Sequence, residues 1–320
     1  MLPIAQYCTS LPSRLQWFTM KRVRPERRCL RVRDGAEIEY FTAGRGLPVL
    51  LVNGLGAGWR IWRKQIEYLA DRYRFITWNY RGLYRTNSTN SSTAADSSSL
   101  SVHAQDALEI LEAEGVDRAA TMSWSMGVHV SLELLRKAPE RVASLIMIGG
   151  PASELLRTTI RSGLTRLLMS PLIQTASRAP RVSQALARMA IASPEVFAWA
   201  KRMGMVGRNL DDQHFVELVS CLSDLDVKVL QRTFRYLADH NATELLDGTD
   251  VPMLVIAGDR DLFTSLSSVE HIVKHAHGAE LMIVPGANHY LAANYPEHVN
   301  LRIEKFFRER GYTASETAQA

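Results

Sequence analysis

The chain has 320 residues, 46% of them hydrophobic, and 38 basic against 33 acidic side chains give a net charge of +5. That length and apolar content suffice for a large buried core, as one large domain or two smaller ones, and exclude a disordered protein. No apolar run approaches the roughly 20 residues that span a bilayer, and Met1 to Thr19 has no continuous hydrophobic stretch of the secretory kind, so the expected compartment is the cytoplasm.

Cys8, Cys29 and Cys221 are odd in number, far apart and in no metal-ligand spacing, so neither a disulfide nor a metal site is expected. The basic residues are uneven. Lys21, Arg22, Arg24, Arg27 and Arg28 cluster near the start, and from Arg157 to Arg208 nine basic residues face Glu195. Such runs are usually solvated helix faces; an anionic substrate or lipid surface is the sharper alternative. No nucleic-acid motif accompanies them, and no nucleic-acid partner is expected.

Residues 1–27 fit no regular element and are read as an N-terminal extension, with Met20 an alternative start. From Arg28 to Phe41 apolar and polar residues alternate around Asp34-Gly35, the signature of a hairpin of two opening strands. Pro48 to Gly54 and Phe75 to Tyr80 are short apolar runs of the kind found in strands buried on both faces, with helical spacing between them from Trp59 to Leu69. Thr86 to Ser101 is rich in Ser, Thr and Asn and reads as a loop; its acceptor-like triplets at Asn87 and Asn90 have little support without a secretory signal.

The rhythm continues with a helix around Val102 to Glu114, a strand from Ala119 to Ser123, a helix from Met126 to Lys137 and a strand from Ser144 to Gly150. Strands alternating with helices of this length imply right-handed crossovers and a mostly parallel sheet. After Gly150 the strand signal stops, and 151–246 reads as helices only, with an apolar stripe at Leu156, Ile160, Leu164 and Leu168. Strands return at Pro252 to Gly258 and Ala279 to Gly286, with helices at Leu266 to His275 and Glu297 to Arg310. The predicted organisation is an α/β fold: a mostly parallel central sheet flanked by helices over 28–150 and 247–310, interrupted by a helical insertion at 151–246. Residues 311–320 read as a disordered tail.

The strongest chemical signal is Ser123-Trp124-Ser125-Met126-Gly127, at a strand-to-helix junction. There a sharp turn exposes the hydroxyl of Ser125, the following N–H of Met126 points at a developing oxyanion, and Gly127 lets the helix pass close to the turn. Val52 to Gly56 forms a glycine-rich turn after an earlier strand, where Gly54 and Gly56 allow close backbone approach. Asp259 and Asp261, directly after a strand, compete as the carboxylate. His289 sits just past the last strand, where loops of parallel sheets gather. A serine hydroxyl is a poor nucleophile at neutral pH, so an imidazole must take its proton and a buried carboxylate must hold the imidazole's tautomer.

With these residues in hand, the chain resembles the α/β-hydrolase superfamily from Cys29 to Arg310, with 151–246 as a helical lid. The resemblance selects Asp261 over Asp259, because the family's acid generally falls three residues after such a glycine. It also implies Leu55 N–H as a second oxyanion donor. Three positions depart from the family pattern: Ser123 stands for the first glycine of G-x-S-x-G, Asn53 for the histidine before the oxyanion glycine, and Asn79 for an aspartate in Trp78 to Thr86. The order Ser125, Asp261, His289 is the one this fold uses.

The implied activity is hydrolysis of a carboxylic ester or related acyl bond in a small, lipophilic substrate, through an acyl-enzyme and without a cofactor. Serine at 125 argues against the dehalogenase and epoxide hydrolase branches. The rivals are an acyltransferase, thioesterase or carbon–carbon bond hydrolase on the same framework, and a non-catalytic receptor. A basic, Leu-rich lid over Leu155 to Leu168 adds peripheral membrane contact as an expectation to test.

Overall fold

The computed structural model describes residues 23–83, 98–153 and 225–313, together with a few positions between 193 and 218. Within them, eight strands form one sheet: β1 (Glu26–Arg31), β2 (Glu37–Gly44), β3 (Leu47–Val52), β4 (Tyr73–Trp78), β5 (Ala119–Trp124), β6 (Val142–Ile148), β7 (Met253–Gly258) and β8 (Glu280–Val284). Their spatial order is β1-β2-β4-β3-β5-β6-β7-β8. The β1–β2 and β2–β4 pairs are antiparallel and every later pair is parallel. This is the mostly parallel sheet that the alternation of apolar runs and helices implies, in the arrangement expected from the resemblance to the α/β-hydrolase superfamily.

The opening hairpin turns at Asp34-Gly35, where Gly35 takes φ +87° and the Asp34 carboxylate accepts the Ala36 N–H. The central strands carry no polar alternation because helices cover both sheet faces; Val49, Leu50, Leu51 and Val52 are all buried, as is every residue of β5 and β7. The covering helices are α1 (Arg63–Leu69), α2 (Leu100–Ala113), α3 (Gly127–Lys137), α4 (Val227–Asp239), α5 (Glu244–Asp247), α6 (Leu266–His275), α7 (Leu291–Asn294) and α8 (Pro296–Glu309). Serine side chains cap α2 and α6: Ser99 accepts from Val102 N–H and Ser265 from Ser268 N–H.

Two apolar layers result, one on each side of the sheet. Ile110, Val130, Leu134 and Val255 belong to the first, and Trp62, Ile66, Phe306 and Phe307 to the second. Arg81, 5% exposed, ties three elements together, reaching Asp106 on α2 and Asp34 in the hairpin turn. Two members of the first basic cluster are likewise paired: Arg27 with Glu39, and Arg28 with Glu26 and Glu114.

Two sequence-based boundaries need correction. The extension read as 1–27 ends earlier, because Glu26 and Arg27 already pair with Thr42 and Phe41 in β1, and Val23 packs on the second apolar layer. Residues 311–313, read as the start of a disordered tail, are ordered. Gly311 turns the chain at φ +65°, and Tyr312 stacks on Tyr73 while its hydroxyl lies 3.1 Å from Ala120 N and also bonds the Pro48 carbonyl. The physical reason in both places is that short polar-looking segments gain order from contacts made elsewhere in the chain.

Most of 151–246 lies outside the described residues, including the Leu156 to Leu168 stripe and Arg157 to Arg188; so do Cys8, Cys221 and residues 84–97. The described residues there include helical positions between 195 and 218, a bridge at Leu225 and the helices α4 and α5, and Ala242 N–H donates to Ala152 C=O at 3.0 Å, joining the two ends of the stretch. Cys29 is an exposed free thiol. Among the described residues no helix is long and apolar enough to cross a membrane, and no group of three or more His, Cys, Asp or Glu could hold a metal ion.

His103 on α2 is fully buried with both ring nitrogens unpartnered. Burial, then the nearby Arg81 charge, lowers it from 6.5 to about 3. The folded-state value lies below the unfolded one, so the unfolded chain takes up the proton first and stability is lost as pH falls from 6.5 toward 3. We predict that His103→Leu leaves stability at pH 7.5 equal or higher and removes about 1.4 kcal/mol per pH unit of acid-side slope between pH 6 and pH 4, read from urea denaturation. An unchanged slope would show that His103 is protonated in the fold.

Candidate active site

The loops that follow β3, β5, β7 and β8 at their C-terminal ends carry Leu55, Ser125, Asp261 and His289, respectively. In parallel sheets these ends gather on one side, which is why residues 164 positions apart in sequence meet here.

Ser125 occupies the sharp turn between β5 and α3. Its φ of +56° is in the left-handed region, and no other described non-glycine residue has a positive φ. Such a conformation costs of order 1–3 kcal/mol and persists only where surrounding contacts determine it. They do: Ser125 N–H donates to Ile148 C=O on β6, and Ser125 C=O accepts the Val128 N–H, each at 3.0 Å. The backbone also needs room. A Cβ on Gly127 would lie 2.2 Å from the Val52 carbonyl oxygen, and one on Gly150 would lie 2.4 Å from that of Ser125. Ser123, where the family pattern has glycine, is accommodated because its buried hydroxyl donates to Ile146 C=O at 3.1 Å.

His289 Nε2 lies 2.8 Å from Ser125 Oγ, and its Nδ1 lies 2.9 Å from Asp261 Oδ2. A carboxylate can only accept, so the proton sits on Nδ1 and the Nε2 lone pair faces the serine hydroxyl. Asp261 is held in turn: its Oδ1 accepts the N–H groups of Phe263 at 2.7 Å and Thr264 at 3.0 Å, and its side chain is 1% exposed. Asp259 is elsewhere, accepting Gly286 N–H at 2.6 Å in an exposed turn.

Several residues around the three carried no signal in the sequence. Trp124 Nε1 donates to the His289 carbonyl at 2.8 Å, and the Trp124 and Phe263 rings pack on the imidazole at 5.1 and 4.9 Å between centroids. Gly149, at φ +54°, lies under the imidazole–carboxylate pair; a Cβ there would be 3.3 Å from Asp261 Oδ2. Asn288 braces the base's loop by accepting from Tyr290 N–H and Asn294 Nδ2. A tryptophan before a serine or a threonine after an aspartate is too common in sequences to single these out.

The turn after β3 packs directly on Ser125: a Cβ on Gly54 would meet the Trp124 ring at 2.5 Å and Ser125 Cβ at 3.1 Å. The N–H groups of Leu55 and Met126 have no hydrogen-bond partner among the described residues. Asn53 is buried and makes three side-chain hydrogen bonds, giving from Nδ2 to Trp78 C=O and Thr77 Oγ1 and accepting at Oδ1 from Trp62 Nε1. A hydroxyl, an imidazole, a carboxylate and two backbone N–H groups thus come together around Ser125, the kinds of group that attack on a carbonyl carbon calls for.

Comparison with known proteins agrees with this architecture. The profile of the alpha/beta hydrolase fold family matches residues 48–294. RutD of Azorhizobium caulinodans, whose name proposes carbamate hydrolysis, is 36% identical over 115 residues, 36% of this chain and 42% of that protein. The aligned stretch thus spans about two fifths of that relative. A RutD of Caulobacter sp. strain K31 is 23% identical over 84% of this chain and 94% of its own length. A thermophilic esterase from Thermogutta terrifontis superposes with a TM-score of 0.66 at 21% identity, covering 89% of this chain and 99% of its own, a likeness of fold. The profile match covers well over half of the chain, and the chain belongs to the α/β-hydrolase fold family.

Proposed function

We propose that the protein is a serine hydrolase that cleaves a carboxylic ester or related acyl bond of a small lipophilic substrate through an acyl-enzyme. The observation that carries this reading is the unbroken hydrogen-bonded line from Ser125 Oγ through the His289 ring to the buried Asp261 carboxylate.

In the first half-reaction Ser125 Oγ bonds to the acyl carbon while His289 Nε2 takes the hydroxyl proton, and the carbonyl electron pair moves onto oxygen. Leu55 and Met126 N–H receive that oxyanion; such donors are typically worth about 2.7–4 kcal/mol each in the transition state. Collapse breaks the bond to the leaving oxygen, which takes the proton from Nε2. Water then enters, gives its proton to Nε2 and attacks the acyl carbon, and Ser125 leaves with that proton. Asp261 keeps its charge throughout, stabilising the imidazolium and fixing the ring. The Trp124 and Phe263 rings against His289, and exposed Leu262 beside Asp261, give the site apolar surroundings that suit a lipophilic acyl or alcohol part.

A second reading is carbamate cleavage, favoured by the resemblance to proteins named for it. The same groups would act, but nitrogen donation makes a carbamate carbonyl less electrophilic, so the same site is expected to turn over esters faster. We predict that p-nitrophenyl esters exceed the matched p-nitrophenyl carbamate in kcat/KM by at least tenfold; the reverse ratio would move the substrate class to carbamates. Transfer to an added alcohol in preference to water would mark an acyltransferase.

Two substitutions test the roles. Ser125→Ala should bring kcat on any of these substrates to background. Asp261→Asn, which keeps the shape and loses the charge and the acceptor for Nδ1–H, should lower kcat by on the order of 10³–10⁴-fold. Full activity in Ser125→Ala would overturn the nucleophile assignment, and an Asp261→Asn effect below tenfold would overturn that of the carboxylate.

A further inference from the structure

A backbone donor stabilises an oxyanion only if its peptide plane is already aimed and stays so while charge develops. For Leu55 N–H that requirement falls on two peptide units hinged at Gly54, a residue whose missing Cβ leaves both torsions soft. The unit carrying Leu55 N–H is pinned at its other edge, because Gly54 C=O accepts the Ala57 N–H at 3.2 Å and a planar peptide fixes its N–H opposite its carbonyl. The preceding unit, Asn53–Gly54, is pinned by a side chain: the Tyr80 hydroxyl donates to Asn53 C=O at 2.5 Å.

The same carbonyl borders the other donor. A Cβ on Gly127, the first residue of α3, would stand 2.9 Å from Asn53 O, so the Asn53–Gly54 peptide lies against the backbone next to Met126. Tyr80 is suited to hold it. The residue is 1% exposed, and its ring is fixed edge-on to Trp78 at 5.6 Å and against the neutral His103 ring at 4.5 Å. Burial raises its phenol well above the ordinary value of 10, so the hydroxyl remains a donor at any pH of interest. Asn53 is meanwhile anchored through its side chain to Trp62, Thr77 and Trp78, which fixes where the residue sits and leaves the direction of its carbonyl to Tyr80.

We propose that Tyr80 is a positioning residue of the oxyanion site, its hydroxyl holding the Asn53–Gly54 peptide so that Leu55 N–H stays aimed at the reacting carbonyl oxygen. The inference rests on the serine-hydrolase reading above. It differs from a plain structural role, in which the hydroxyl merely satisfies a buried carbonyl, by placing the effect in the chemical step.

The test is Tyr80→Phe, which keeps the ring and removes one oxygen, compared with Tyr68→Phe, which loses a hydroxyl bonded to Glu304 at 2.7 Å on another part of the molecule. The rate of phosphonylation by a fluorophosphonate, mapped by mass spectrometry, is measured beside kcat and KM for p-nitrophenyl butyrate. Tyr80→Phe is expected to slow both phosphonylation and kcat by about 10- to 100-fold with KM within twofold, while Tyr68→Phe stays within twofold of the parent in all three. Should Tyr80→Phe fail to fold, 4-fluorophenylalanine incorporated at position 80 fills the hydroxyl's space without supplying a donor to Asn53 C=O and is expected to give the same loss in phosphonylation and kcat. Parent-like phosphonylation and kcat in the folded variant, or a loss confined to KM, would overturn the inference and leave the serine-hydrolase reading intact. Labelling of the parent at a residue other than Ser125 would overturn both.

Discussion

The left-handed backbone of Ser125 is the constraint on which the rest of the site depends. At φ +56° a residue with a side chain sits in a strained turn, and the strain is what pushes Oγ out beyond the ends of β5 and β6 toward His289. Relaxing it would swing the hydroxyl away and move Met126 N–H with it. The turn is retained because its neighbours leave no other path: Ile148 C=O holds the Ser125 N–H, and α3 begins so close to β3 that only glycine fits at position 127.

From that fixed point the site extends across the sheet. β5, β6, β7 and β8 are consecutive neighbours, so Ser125, Gly149, Asp261 and His289 are offered by adjacent strand ends. The fit between them is local. Gly149 has no side chain under the imidazole–carboxylate pair, while Thr264 donates its hydroxyl to Gly149 C=O at 2.9 Å and its backbone N–H to Asp261. On the other flank β3 delivers Gly54 against Trp124 and Ser125. Strands set coarse position, and hydrogen bonds between their end loops set the aim of each group.

Much of this was legible in the sequence, and the reasons differ by residue. The strands showed because central parallel strands must be apolar on both faces, and the opening hairpin because Asp34-Gly35 interrupts a two-residue alternation. Ser125 and His289 showed because each falls just past a strand, whereas Asp259 and Asp261 both do and only the family resemblance separated them. The supporting contacts did not show. Asn53 reads as a simple departure from histidine, yet its amide is the group that can give to Trp78 C=O while accepting from Trp62. Tyr80 and Trp62 look like ordinary core aromatics, since local pattern reports burial and says nothing of where a hydroxyl or indole N–H ends. The same limit moved the first strand's start to Glu26 and brought Tyr312 into the core.

The proposed chemistry is covalent: an acyl group passes through Ser125 Oγ. The most direct measurement is to quench the protein with acid milliseconds after mixing with a p-nitrophenyl ester and map the added acyl mass by tandem mass spectrometry. One acyl group on Ser125 is expected, appearing with a burst of p-nitrophenolate of matching stoichiometry. An acyl group on another residue, or turnover with no covalent adduct and no burst on an ester whose good leaving group makes deacylation the slow step, would contradict it.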